Sequence, residues 1–299
     1  MGKRPYIIAG IPAYNEEKTI AKVVLLTKKY VDKVIVADDG STDMTAEIAE
    51  AVGAEVIRHK ENMGYGAALR TIFHKAREEN ADILVILDAD EQHDPNEIPT
   101  LIEPLLKDEA DLVIGSRFLG KTDARKYRAL GVKIITKTAN ILAGTKLTDA
   151  QSGFRAYNKK AIQVIRPTDD GMGASVEILT QATEAKLRIK EVPITIRYEG
   201  LETSTEHPLK HGASVINTLI SKTIEKKPLR YLGIPGVIML LSSVFFIAEL
   251  ITLFNRTRYF SIPMALIALG FIFAGLLFIL ASIQIYMIKT LEKKLHVNF

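Results

Sequence analysis

The spacing of apolar positions changes character near residue 230. Before that point, short apolar runs at 6–11, 34–37, 55–58, 83–87 and 112–115 alternate with stretches at 16–30, 43–52, 64–79 and 96–107. The runs have the length and composition of buried strands. The stretches between them space their apolar residues like helices, as in Ile20, Val23 and Val24 or Leu69, Ile72, Phe73 and Ala76. A strand–helix alternation predicts an α/β fold with a mostly parallel sheet covered by helices on both faces. Ligands in such folds bind beyond the carboxyl ends of the strands.

After residue 230 the pattern is continuous. Residues 232–254 carry one charge, Glu249, and residues 262–288 carry none. At ~1.5 Å per helical residue, each run can cross a hydrocarbon core of about 30 Å. The seven residues between them form a tight connection, which predicts a two-helix transmembrane hairpin with both chain ends on one side. Just upstream, Val215, Ile216, Leu219, Ile220 and Ile224 recur at helical spacing, with Asn217, Ser221, Lys222, Glu225 and Lys226 facing away. This reads as an amphipathic juxtamembrane helix lying on the bilayer, or alternatively packed on the globular domain. The organisation expected is a globular domain over 1–205, an amphipathic segment over 206–230, a hairpin over 231–288 and a tail over 289–299.

Charge sharpens this division. The net charge of +4 splits into −2 over residues 1–205 and +6 beyond. The basic residues therefore flank the apolar runs, where anionic headgroups attract them, and the folded domain lacks the basic surface of a nucleic-acid protein. Lys222, Lys226, Lys227 and Arg230 precede the first span, and Lys289, Lys293 and Lys294 follow the second, while the connection holds only Arg256 and Arg258. The positive-inside bias places the domain and the tail in the cytoplasm. Residues 1–5 lead directly into the first strand without the pattern of a signal peptide. The chain has no Cys, which excludes disulfide frameworks, Cys-based zinc sites and Cys nucleophiles.

The strand ends carry the chemistry. The first exits through Pro12-Ala13-Tyr14-Asn15-Glu16-Glu17 and the second through Asp38-Asp39-Gly40-Ser41-Thr42-Asp43. Asn62-Met63-Gly64-Tyr65-Gly66 opens a helix. The fourth strand exits through Asp88-Ala89-Asp90-Glu91-Gln92-His93. Two carboxylates two residues apart past an apolar strand suit a hard divalent cation that shares phosphate oxygens with a substrate. Neither a Gly-x-Gly-x-x-Gly turn nor a Walker A sequence is present.

Taken in order with Gly115-Ser116-Arg117-Phe118 and Asp149-Ala150-Gln151-Ser152-Gly153-Phe154-Arg155, these motifs resemble glycosyltransferase family 2, in its polyprenyl-phosphate (dolichyl-phosphate) branch. The resemblance covers residues 5–200. It implies a GT-A domain, a nucleotide-sugar donor, a lipid-phosphate acceptor and Mg2+ or Mn2+. By the resemblance, Pro12, Tyr14, Glu16 and Asp38 hold the nucleotide, with Asp39 close by. Asp88, Asp90 and Gln92 hold the metal or the donor diphosphate. Arg117 meets the acceptor phosphate, with Arg128 or its neighbour Arg125 as a second clamp. Asp149, Ser152 and Arg155 border the sugar and acceptor, and Arg197 approaches phosphate late in the domain. The absence of Trp separates the chain from processive family members that carry Gln-x-x-Arg-Trp.

The implied reaction is an inverting transfer of a hexose to a polyprenyl or dolichyl phosphate, from a UDP-sugar in preference to GDP-mannose. A phosphate monoester is largely a dianion at neutral pH, so a base role for Asp149 is available but not required. Two other readings stay open: a non-lipid saccharide acceptor, and a catalytically silent membrane protein that binds nucleotide sugars.

Overall fold

The computed structural model describes residues 4–119, 136, 140, 144–171, 173–196 and 228–295. The chain divides into two compact units, residues 1–219 and 220–299. The first unit is built on one seven-stranded sheet: β1 (Ile7–Ala13), β2 (Lys33–Asp38), β3 (Glu55–Arg58), β4 (Ile83–Ile86), β5 (Leu112–Ser116), β6 (Arg155–Asn158) and β7 (Ile189–Pro193). Their spatial order is β3-β2-β1-β4-β6-β5-β7. Every pairing is parallel except those of β6, which runs antiparallel between β4 and β5.

All five expected strands form, and β6 and β7 join them. β6 escapes an apolar-run search because it reads Arg-Ala-Tyr-Asn, yet its first three residues are buried. β7 is an edge strand with alternating exposure, so it too lacks a continuous apolar run.

Helices α1 (Ile20–Thr27), α2 (Thr45–Ala51) and α4 (Ile98–Leu106) cover one face of the sheet. Helices α3 (Tyr65–Glu78), α5 (Lys159–Val164) and α6 (Ala174–Glu184) cover the other, where Phe73 meets Tyr157 edge-to-face at 4.9 Å. Helix α1 starts later than the spacing suggests. Asn15 takes a left-handed conformation (φ 56°), and the amides of Thr19 and Ile20 both donate to the Glu16 carbonyl at 3.1 and 2.9 Å. This turn holds Glu16 at the rim and out of the helix.

The chain winds from β1 outward through β2 and β3, then returns to place β4 on the other side of β1. That reversal opens a crevice at the carboxyl ends of β1 and β4. Pro12 is tolerated in the central strand because β1 pairs with β4 only through Gly10, so Pro12 lies beyond that ladder.

The second unit is a helical hairpin. A π-turn (Leu229–Gly233) leads into α7 (Ile234–Thr257), and α8 (Ile262–Leu295) follows. Leu229–Thr257 and Ile262–Ile288 are long and apolar enough to cross a membrane, and only 11% of the most apolar 18-residue window of each is buried, so most of that apolar surface is exposed. The helices approach closely at Gly236 and Gly275, where a Cβ on either would lie 2.9 Å from the carbonyl oxygen of the other. Helix α7 runs three residues past the expected span and closes at Arg258 (φ 57°), whose amide donates to the Phe254 carbonyl at 2.8 Å. Helix α8 continues beyond residue 288, since its lysine-rich end propagates a helix as readily as apolar residues do. The amphipathic segment before Pro228 and the last four residues lie outside the described residues.

Candidate active site

At the exit of β1, Pro12 is buried and Tyr14 turns outward, 43% exposed. The Asn15 amide donates to Ser41 Oγ at 2.9 Å, and the Thr42 amide donates to Asn15 Oδ1 at 2.8 Å, stapling the exits of β1 and β2 together. The Glu16 amide donates to Thr45 Oγ1 at 2.7 Å. Burial pushes the Glu16 carboxyl up, and the charges of Asp90 and Asp88 push the same way, against a hydrogen bond from Thr19.

Two adjacent aspartates end β2 with different tasks. Asp38 is fully buried. Its Oδ1 accepts from the Ser41 amide at 3.3 Å. Arg58 Nε lies 3.2 Å from Oδ2 but out of hydrogen-bond alignment, which leaves that oxygen without a donor. Asp39, expected near the nucleotide, is committed elsewhere. It accepts from the amides of Met63 and Gly64 at 3.0 and 2.7 Å and pairs with His59 Nδ1 at 2.7 Å, fixing the loop before α3. The glycines of that loop serve a chain crossing. A Cβ on Gly66 would lie 1.9 Å from the Asp169 carbonyl oxygen, and the Gly66 amide donates to the Asp170 carbonyl at 2.8 Å.

Beyond β4, Asp88 and Asp90 reach the crevice. Tyr65 Oη donates to Asp88 Oδ1 at 3.4 Å, and His93 Nδ1 lies 3.6 Å from Asp88 Oδ2. The carboxylate rests against Gly153, where a Cβ would come within 2.5 Å of Oδ2. Asp90 accepts from the Gln92 amide at 3.0 Å and from Gln92 Nε2 at 2.6 Å, so Gln92 orients Asp90. Glu91 between them is left-handed (φ 60°) and pairs with Lys22. Burial raises both carboxyls. For Asp88 a hydrogen bond from Tyr65 and the charges of Arg117 and Arg155 oppose the rise, while for Asp90 the charge of Asp88 adds to it. Burial also lowers His93 to about 4, so its imidazole is neutral.

Residues 149–155 wrap the far side of this motif. Arg117 Nε donates to Asp149 Oδ2 at 2.5 Å and Nη2 to Oδ1 at 3.1 Å, a forked pair with Asp149 fully buried. Glu191 on β7 fixes the turn from behind, accepting from the amides of Thr148 and Asp149 at 2.8 and 2.9 Å. The geometry therefore gives Asp149 the task of aiming Arg117.

Two expected contacts face inward instead. Arg155 is 2% exposed, and its guanidinium donates to the carbonyls of Ser152, Ser175 and Ala150 at 2.8, 3.2 and 2.9 Å. It sits in the core because carbonyls of the 149–155 loop and of the first turn of α6 need donors, which takes it away from an acceptor at the surface. Ser152 is also buried, and its Oγ accepts from the Phe154 amide at 3.3 Å. Arg128, Arg125 and Arg197 lie outside the described residues. Tyr65, His93, Gly153 and Glu191 were not expected. The first three stand inside recognised motifs, whereas nothing local in the sequence marks Glu191.

Residues 9–166 match the profile of glycosyl transferase family 2. The chain belongs to glycosyl transferase family 2. It is 35% identical over 232 residues to a UDP-N-acetylglucosamine–dolichyl-phosphate N-acetylglucosaminyltransferase of Methanococcus voltae, covering 69% of this chain and 89% of the relative. It is 30% identical over 218 residues to a dolichyl-phosphate hexose transferase of Haloferax volcanii, covering 72% and 92%. Among solved structures it resembles glucosyl-3-phosphoglycerate synthase of Mycobacterium tuberculosis in complex with Mg2+ and UDP, at 26% identity and a TM-score of 0.57, covering 73% of this chain and 79% of that one. The resemblance drawn from the ordered motifs is thus borne out in family, branch and fold.

The site of this glycosyltransferase fits a divalent cation. Glu16, Asp88 and Asp90 crowd negative charge on one rim, and each is pushed toward its protonated form. A hard cation would relieve that repulsion through oxygen ligands. Among the described residues no three His, Asp or Glu side chains converge on one point. A cation here would take Asp88 and Asp90 from the protein, with the Gln92 side-chain oxygen as the expected third ligand, and complete its shell with water and donor phosphate oxygens.

Proposed function

We propose that this enzyme transfers a hexose from a nucleotide sugar, UDP-linked in preference to GDP-linked, to a polyprenyl or dolichyl phosphate, with inversion at the anomeric carbon. The observation that carries this reading is the division of charge around one crevice. Carboxylates pushed toward their protonated form, Glu16 at the β1 exit and Asp88 and Asp90 at the β4 exit, line one side, and a forked Arg117–Asp149 pair stands beyond β5. A site for a diphosphate donor and a separate anionic acceptor needs that arrangement. The names of the Methanococcus and Haloferax relatives support the lipid acceptor, and the UDP complex of the mycobacterial neighbour supports the donor.

Each residue then has a task. Asp38 Oδ2, buried and without a donor, accepts from the base or ribose of the nucleotide. Tyr14 offers an exposed ring at the adjacent exit of β1. Asp88 and Asp90, with Gln92, would hold the divalent metal, which would neutralise the leaving diphosphate. Arg117, aimed by Asp149, draws the acceptor phosphate into line with the anomeric carbon. A phosphate oxygen forms the new bond to that carbon as the bond to the donor diphosphate breaks, and the nucleoside diphosphate leaves on the opposite face. The nucleophile is already a dianion, so no side chain has to remove a proton. The hairpin anchors the domain on the cytoplasmic face, where the lipid phosphate is presented.

The test is a panel of radiolabelled UDP-glucose, UDP-N-acetylglucosamine and GDP-mannose with polyprenyl phosphate, followed by organic extraction. Label in the organic phase that disappears with EDTA is expected. Label confined to water-soluble saccharide would replace the lipid acceptor with a soluble one, and no transfer from any donor would point to a binding protein.

A further inference from the structure

His93 is 5% exposed, and its Nδ1 is buried without a hydrogen-bond partner. An orphaned buried polar atom is rare, and its desolvation goes uncompensated unless a functional state supplies the partner. The facing acceptor is Asp88 Oδ2 at 3.6 Å, a few tenths of an ångström beyond a hydrogen bond. The ring has little freedom to turn away. It stacks on Phe154 with centroids 5.3 Å apart and planes 28° apart, and the His93 backbone bridges to Ile196. Tyr65 Oη already donates to the other oxygen, Oδ1, and Gly153 leaves the carboxylate room only because it has no Cβ.

We infer that His93 is a positioning residue for Asp88, its Nδ1–H closing on Oδ2 so that Tyr65 and His93 together fix the carboxylate that receives the divalent cation. The inference rests on the reading of Asp88 and Asp90 as the metal carboxylates. Its physical basis is the outer shell of metal sites, where a donor behind a ligating carboxylate sets its orientation. His93 thereby links two motifs distant in sequence, because the ring that steadies Asp88 is itself steadied by Phe154 of the 149–155 loop.

The test uses the full chain in detergent and reads bound Mn2+ by electron paramagnetic resonance, with UDP and separately with GDP. His93→Phe keeps a buried ring against Phe154 and removes the donor. His93→Asn returns a donor near the Nδ1 position without the ring. Mn2+ affinity should fall on the order of 10-fold in His93→Phe, the scale of an outer-shell loss. It should stay close to wild type in His93→Asn, whatever the melting temperature of each variant without metal. Wild-type affinity in His93→Phe, or equal loss in both variants, overturns the inference and leaves the metal reading standing. A wild-type chain that binds no Mn2+ with either nucleotide overturns the metal reading and this inference with it. Should His93→Phe fail to fold, nitrogen NMR of the wild-type imidazole with Mg2+ and UDP decides. A proton on Nδ1 supports the assignment, and a bare Nδ1 overturns it.

Discussion

At the scale of single residues, the Asp88 carboxylate is set by its neighbours more than by its own strand. The space it occupies exists because residue 153 is glycine, so Gly153→Ala places a methyl group within 2.5 Å of Oδ2. Asp88 has to move. Metal-dependent nucleotide binding should fall roughly 10-fold or more, as for other lost outer-shell constraints, while the far-UV circular dichroism stays native. Titration of UDP with and without Mn2+ checks this, and an unchanged Mn2+ effect refutes it. The Arg117–Asp149 fork dictates how Arg117 is to be tested. Truncation to Ala would strand a buried Asp149, a defect worth about 3–5 kcal/mol that would depress every readout together. Arg117→Lys keeps a cation for Asp149 and loses the planar fork. Transfer should drop on the order of 10²-fold with nucleotide affinity nearly intact, the scale of one misdirected charged donor at a reacting centre. Parallel loss of both by calorimetry and transfer assay would make Arg117 a structural residue.

Among the elements, β6 shows how a polar strand enters a core. Arg155 opens it and would be expensive to bury alone, but two carbonyls of the 149–155 loop and that of Ser175 in α6 accept from its guanidinium. The opposite end of the sheet is locked by Asp111, just before β5. It accepts from Asn158 Nδ2 at 2.9 Å and from the Arg188 amide and Nη2 at 2.8 and 3.1 Å, tying β5 to β6 and β7. The Arg188 hydrogen bond holds its carboxyl far below the ordinary range. Since the folded value is the lower one, this stabilisation is present above the unfolded carboxylate pKa of about 3.9 and is shed as pH falls below it. Asp111→Asn should therefore lower the melting temperature most at pH 7 and by a smaller margin at pH 3, the charge contribution vanishing only as pH falls through the depressed folded value. A difference between variant and wild type that is the same at both pH values would show that charge is not the cause.

For the whole molecule, the charge split and the two span-length helices predict one orientation. Residue 257, at the end of α7, and residue 293, late in α8, should lie on opposite sides of a bilayer. The native chain has no Cys, so Thr257→Cys and Lys293→Cys can each be labelled alone. In inverted membrane vesicles an impermeant maleimide should reach residue 293 readily and residue 257 only after permeabilisation. Labelling of both from one side would remove the hairpin topology and the cytoplasmic assignment with it.

Periodicity alone determined the strands from β1 to β5, the helices between them and the two apolar spans, because each buries a repeating face that leaves a local pattern. The ordered motifs also marked the rim: Glu16, Asp38, Asp88 and Asp90 come to one crevice since each lies at or just past the end of a strand that stops there. Tertiary structure decided what depends on residues far apart in sequence. β6 and β7 were hidden because one buries an arginine and the other lies at an edge. The roles of adjacent Asp38 and Asp39 separated only when the loop before α3 folded onto the second, taking both its oxygens. Arg155 left the acceptor side because buried carbonyls of the loop and of α6 claimed it. Asp149 became the partner of Arg117 because Glu191, some forty positions away, holds its turn in place. Local spacing reports which face a residue presents, whereas a hydrogen-bond partner is settled only when separate elements pack.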